Sequence, residues 1–294
     1  MPKLYRSMLA LSLCGALSAP AIAGTPFNQM IVFGGSYEDA GQFPDIDFFA
    51  VGGIIPPPGA GLDGSTGFRV TNLVPETGKR GTVWPEKLSN DLGIGGLQPS
   101  TPILFPGERT DIPDTDNIDF AFATARSNDM YQAVVAESVV THPADGALEA
   151  DLSETSPGFE QRLASGALSI TRRTLFVLNP AGNDVRDATV ENPAAAGEGA
   201  ALNTLRMIER LMTSGARTFV TPTFPPLGLF SESTNLAPDG GRTPKSEARN
   251  AAAEAYNEAM ARGLAEVGGN VVVPDFDRWF QPDCRSHPLV LQQQ

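Results

Sequence analysis

Short apolar runs separated by Gly and Pro set the pattern of this chain. Met30-Ile31-Val32-Phe33 is apolar without interruption and runs into Gly34-Gly35-Ser36, as a buried strand opening into a tight loop would. Residues 84–92 place Trp84, Leu88 and Leu92 at helical spacing, with Gly93 as the stop. Phe120-Ala121-Phe122-Ala123 reads as a second short strand. Leu175-Phe176-Val177-Leu178 reads as a third, covered on both faces and ending at the Gly-containing turn Ala181-Gly182-Asn183-Asp184. Residues 201–212 put Leu202, Leu205, Ile208 and Met212 on one helical face, closed by Gly215. Phe219-Val220 is strand-like, a turn at Pro225-Pro226 follows, residues 245–267 form a long Ala-rich helix, and Val271-Val272-Val273 makes a last strand. Residues 44–80 and 95–116 show no period and read as irregular excursions.

Strand, helix and strand in this alternation predict an α/β fold: a mainly parallel sheet flanked by helices, joined by right-handed crossovers. In such sheets ligands sit beyond the carboxyl ends of the strands, where Ser36, Thr124 and Asn183 all emerge. No internal repeat interrupts the pattern.

Composition narrows the function. The chain has 294 residues, 41% of them hydrophobic, with 30 Gly and 25 Pro, which excludes a coiled coil, collagen or wholesale disorder. Its formal charge of −13 repels phosphate backbones, so nucleic acid is not an expected partner. Residues 1–23 have the grammar of a secretory signal peptide: Lys3 and Arg6, an apolar stretch from Met8 to Leu17, and the small-residue cleavage site Ala21-Ile22-Ala23. The expectation is an exported protein, periplasmic or extracellular, with residues 24–294 as one domain. After cleavage Cys284 is left without Cys14, so no intrachain disulfide is expected, and no later stretch approaches a membrane span. Two Cys and two His without ligand spacing argue against a metal site, and neither GxGxxG nor GxxxxGK supports a nucleotide cofactor. His142, in a polar Thr-His-Pro-Ala-Asp stretch, reads as a surface loop residue. Glu38 and Asp39 read as solvated loop carboxylates.

The stretch from Ile31 to Asp45, with Gly34-Gly35-Ser36-Tyr37-Glu38-Asp39-Ala40-Gly41-Gln42-Phe43-Pro44 inside it, resembles the nucleophile block of GDSL, or SGNH, hydrolases, above all the esterase passenger domains of bacterial autotransporters. Phe68-Arg69-Val70-Thr71-Asn72, Trp84-Pro85-Glu86-Lys87-Leu88, Asp119 to Arg126, and Gly182-Asn183-Asp184 look like further blocks of that family, in its order. The resemblance implies a three-layer, flavodoxin-like SGNH-hydrolase fold and an esterase, lipase or other acylhydrolase that acts on a small-molecule or lipid ester without a cofactor. It makes Ser36 the nucleophile. It assigns the oxyanion to the backbone N–H groups of Ser36 and Thr124 and the side-chain amide of Asn183, with Thr124 standing where the family has glycine. It makes His287 the base and Asp283 its orienting partner, although three residues separate them here and two in the family's DxxHPT block. Gly35 replaces the Asp that precedes the family's nucleophile, so a hydrogen bond steadying the serine loop is expected to be missing. The irregular loops from Phe48 to Pro58 would line an acyl groove. These departures leave a second reading: an impaired or inactive SGNH-fold binding module, or a passenger cut short before its true His block. The oligomeric state stays open.

Overall fold

A computed structural model describes residues 26–43, 67–72, 74–77, 79–103, 117–142, 152–230 and 242–279. Two strands form its centre. β1 (Gln29–Gly34) and β6 (Thr174–Asn179) are buried at every position and run parallel in register from Gln29 opposite Thr174 to Gly34 opposite Asn179. Their side chains alternate as the strand period demands. Ile31, Phe33, Phe176 and Leu178 point into a large core on one side of the sheet, while Met30, Val32, Leu175 and Val177 point into a smaller core on the other. An uninterrupted apolar run is therefore what a strand covered on both faces requires. Burying a side chain such as Phe33 stabilises the fold by roughly 1.5–3 kcal/mol, and Phe33 also stacks on Phe120 with ring centroids 4.9 Å apart.

Four shorter strands complete the sheet: β2 (Gln98–Pro99), β3 (Ile118–Asp119), β7 (Thr218–Val220) and β8 (Asn270–Val272). The order is β2-β3-β1-β6-β7-β8 and every pairing is parallel. A separate antiparallel hairpin, β4 (Glu137–His142) with β5 (Leu152–Pro157), has no counterpart in the sequence reading. It places the backbone of His142 in a strand opposite Leu152, not in the loop expected for it.

Helices cover both faces. α1 (Trp84–Asp91) brings Trp84, Leu88 and Leu92 onto the smaller core. Pro85 lies in its first turn, and the Glu86 carboxylate accepts the Val83 N–H at 2.9 Å, satisfying one of the free donors of a helix start. The larger core is closed by α2 (Ser127–Val135), α3 (Phe159–Ser165), the short α4 (Gly182–Arg186), α5 (Pro193–Thr213) and α6 (Pro244–Val267), with α7 (Phe276–Trp279) after β8. The sheet thus lies between two helical layers, as expected.

Several elements differ from their sequence reading. α5 starts eight residues before the apolar repeat, at Pro193, and buries Gly197, Ala200, Ala201, Thr204, Met207, Ile208 and Leu211, leaving Leu202 half exposed. Its inner face is chosen by the close approach of α6: a Cβ on Gly197 would lie 2.1 Å from the Ala252 carbonyl oxygen. The strand expected over Phe120–Ala123 lies two residues earlier, as β3 over Ile118–Asp119; Phe120 just beyond it still donates its N–H to the Val32 carbonyl of β1. The Ala181–Asp184 turn is the entry to α4, so Asn183 sits in a first helical turn.

Candidate active site

At the carboxyl edge of β1 the chain turns sharply. The Gly35 carbonyl accepts the N–H groups of Glu38 and Asp39, both at 3.1 Å, which lifts Ser36 and Tyr37 out of the sheet. Ser36 is partly exposed and Tyr37 exposed. Beneath them lie two carboxylates that are buried, contrary to the solvated loop pair expected.

Glu38 holds the turn. One carboxylate oxygen accepts the Gly35 N–H at 3.0 Å; the other accepts the indole N–H of Trp84 and the side-chain amide of Asn179, each at 2.7 Å. Gly34 is needed directly above, since a Cβ there would lie 2.6 Å from the carboxylate. Burial pushes the Glu38 carboxyl up from 4.5 to about 7, against the pull of these hydrogen bonds. The serine loop therefore does have a steadying carboxylate despite Gly35, supplied from three residues further on. An acidic residue between two apolar runs was the only signal, and it is equally the signal of a solvated loop.

Asp39 anchors the chain beyond the serine turn. It accepts the N–H groups of Gly41, Gln42 and Ala123, all at 2.8 Å. Asp119, at the end of β3, accepts those of Ala40 and Ala121. Burial raises both, Asp39 to about 6 and Asp119 well above the usual carboxylate range. Two of the blocks noted in the sequence clasp each other here: buried Arg69 grips Glu86 through two bonds of 2.7 and 2.8 Å.

The end of β6 and the start of α4 supply the opposite wall. Asn183 is 3% exposed and donates one amide hydrogen to the Ala125 carbonyl at 2.7 Å. A Cβ built on Gly35 would come within 3.4 Å of the same nitrogen, so the serine turn and the Asn183 amide are neighbours. Asp184 fastens α4 to α2 by accepting the N–H and hydroxyl of Ser127 at 2.8 and 3.1 Å.

Ser36 and Asn183 line one cavity of about 290 Å³, together with Tyr37, Glu38, Arg186 and Arg249 and the apolar Phe224, Leu227 and Phe230. Thr124 is not among its lining residues. It occupies the adjoining turn, between Ala123, which bonds Asp39, and Ala125, which bonds Asn183. Its φ of 76° makes it the one non-glycine residue in the left-handed region among the described residues, and its hydroxyl donates to the Thr141 carbonyl at 2.8 Å. His287 and Asp283 lie outside the described residues, as do both cysteines, the leader and the loop 48–58. Among the described residues no three His, Cys, Asp or Glu side chains gather as a metal site, and no helix is long and apolar enough to cross a membrane.

A parallel α/β sheet with a serine turn and a buried Asn facing one cavity at its carboxyl edge is an arrangement suited to acyl chemistry. No family model matches the chain. It is similar to Esterase EstA of Pseudomonas aeruginosa and to Esterase EstA of Pseudomonas putida, 29% identical to each over 279 residues, or 91% of this chain. An uncharacterized protein of the trpE-trpG intergenic region of Pseudomonas putida is 27% identical over 267 residues. The chain spans 38% of the length of each of these relatives.

Proposed function

We propose that the protein is an exported serine ester hydrolase of GDSL type, an esterase or lipase for small-molecule or lipid acyl esters. The observation that carries this reading is the meeting of Ser36 and Asn183 at one cavity on the carboxyl edge of the sheet; the likeness to the two esterases agrees with it. In the reaction, Ser36 Oγ attacks the ester carbonyl carbon as its proton passes to the base, for which the family resemblance nominates His287, oriented by Asp283. The carbonyl oxygen becomes an oxyanion, held by the Ser36 N–H, the Thr124 N–H and the second amide hydrogen of Asn183. The alcohol leaves with the proton, and water, deprotonated by the same base, releases the acid and restores Ser36. The φ of 76° at Thr124 is a conformation that glycine favours, which agrees with a position held by glycine in the family. The apolar side of the cavity, Phe224, Leu227 and Phe230, suits an acyl chain.

The absence of Thr124 from the cavity lining favours a second reading, an SGNH-fold binding module with impaired catalysis. Hydrolysis of p-nitrophenyl butyrate by the purified protein separates the two. The esterase reading expects turnover that falls by roughly 1,000-fold or more in Ser36→Ala and by about 100-fold or more in Asn183→Ala. Turnover indifferent to Ser36→Ala overturns the mechanism, and binding of the ester without turnover supports the module.

A further inference from the structure

We propose that Glu38 is the positioning residue for the turn that presents Ser36, and that the turn is set for reaction only while the Glu38 carboxyl is ionised. The proposal rests on the reading of Ser36 as nucleophile. Glu38 ties together three pieces of chain: the serine turn through Gly35, α1 through Trp84, and the end of β6 through Asn179. All three partners are donors, a set that matches a carboxylate with its acceptor-only oxygens. A neutral carboxyl has a hydrogen of its own to place, and the three donors as they stand offer it no acceptor. The Gly35 N–H belongs to the turn, and the Trp84 indole can only donate.

Asn179 is the partner able to change. Its amide carries both a donor and an acceptor, and its Oδ1 is buried with no hydrogen-bond partner. With Glu38 ionised, Nδ2 donates to the carboxylate and Oδ1 stands idle. With Glu38 protonated, a half-turn of the amide offers Oδ1 to the carboxyl O–H. Asn179 lines the same cavity as Ser36, so this rearrangement exchanges a donor and an acceptor at the wall of the reaction site and loosens the hold on the turn.

The charges around Glu38 put this exchange within reach of neutral pH. Asp39, next in the chain, opposes ionisation, and burial opposes it more strongly. On α1, Glu86 is already committed to Arg69. β6 carries no charged residue. Across the cavity Arg186 of α4 is paired with Asp187 and Arg249 of α6 donates to the Arg186 carbonyl, while the buried Tyr256 hydroxyl of α6 stays neutral, its own ionisation pushed up to about 12. The balance leaves the carboxyl at about 7.

Trp84 is a built-in reporter, since its indole N–H bonds the carboxylate directly. In 15N-labelled protein carrying Trp279→Phe, the remaining indole resonance should titrate with a midpoint near 7, accompanied by the Gly35 backbone and Asn179 side-chain amides, and should not titrate in Glu38→Gln. For p-nitrophenyl butyrate, kcat should fall about tenfold per pH unit below that midpoint. Glu38→Gln, shown to be folded by circular dichroism, should lower kcat by about tenfold or more with KM little changed. Trp84→Phe removes one donor from the carboxylate and should move the kcat midpoint upward by about one unit; a base titrating elsewhere would leave it in place. Indole and amide resonances that do not move between pH 5.5 and 8.5 overturn the switch whether or not any ester is hydrolysed. Resonances that titrate while the kcat midpoint ignores Trp84→Phe overturn the positioning role. If no ester is hydrolysed, the esterase reading fails, and the resonances alone decide whether Glu38 switches.

Discussion

Thr124 shows how a residue can sit in a conformation that its side chain disfavours. A β-branched residue in the left-handed region costs about 1–2 kcal/mol, and Thr124 adopts a φ of 76°. Its hydroxyl offsets part of this by bonding the Thr141 carbonyl on β4, a contribution of about 1 kcal/mol. Thr124→Ala keeps the strain and loses the bond, so it should destabilise the protein by about 1 kcal/mol. Thr124→Gly loses the bond but relieves the strain, so its change should be smaller. Urea unfolding of the two variants checks the order; an alanine variant as stable as the glycine one would show that the turn imposes no strain. Buried Asn183 and Glu38 illustrate the other kind of residue-scale decision, in which a polar side chain is kept inside because backbone or side-chain partners meet it there.

Among the helices, the contact of α5 with α6 is decided by small residues. Gly197 meets the Ala252 carbonyl so closely that a methyl group there has nowhere to go, whereas Gly199, two residues on and exposed, has open space around its Cα. Alanine is the better helix former by up to about 1 kcal/mol. Gly199→Ala should therefore raise stability by some tenths of a kcal/mol up to that limit, while Gly197→Ala should lower it by roughly 1–3 kcal/mol by forcing the helices apart. Thermal unfolding of the pair is a direct test, and equal shifts would mean that the two helices are not in close contact. The same contact explains why the apolar repeat over 201–212 marks the buried face only in part. Ile208 of the repeat is buried and Leu205 and Met212 pack on the core, but Leu202 is half exposed, and part of the inner face comes from Gly197, Ala200, Ala201 and Thr204, which carry little hydrophobic signal.

For the molecule as a whole, the buried carboxylates set an unusual dependence of stability on pH. Glu38 is raised from 4.5 to about 7 and Asp39 from 3.8 to about 6, with Asp119 raised as well, in each case chiefly by burial. A carboxyl whose folded value lies above its unfolded one binds its proton more tightly in the folded state. Its contribution is fully present below the unfolded value, near 4, and is lost as pH rises through 6 to 7. Acidification also reduces the self-repulsion of a chain with a formal charge of −13. Tm should accordingly be higher at pH 5.5 than at pH 7.5, read by scanning calorimetry. A lower Tm at pH 5.5 would mean that these carboxyls are held ionised in the folded state. Activity should move the opposite way over the same interval if Glu38 must be charged.

The apolar runs by themselves determined the α/β class, the two central strands and the positions of Ser36 and Asn183 at their carboxyl ends. A doubly covered strand must be apolar at consecutive positions, and that demand is written locally in Met30 to Phe33 and Leu175 to Leu178. The ordered blocks around Ser36 and Asn183 likewise carried the family resemblance on which the proposed esterase reading rests. What the sequence left undecided was decided by contacts between segments far apart in the chain. The hairpin of β4 and β5, the early start of α5, the left-handed turn at Thr124 and the burial of Glu38 and Asp39 belong to that group. Glu38 is the clearest case: its neighbours in sequence mark a solvated loop, but Trp84 and Asn179 meet its carboxylate only once α1 and β6 have packed on either side of the serine turn. A carboxylate stays buried where donors surround it, and that is a property of the assembled fold, with no trace in the local pattern.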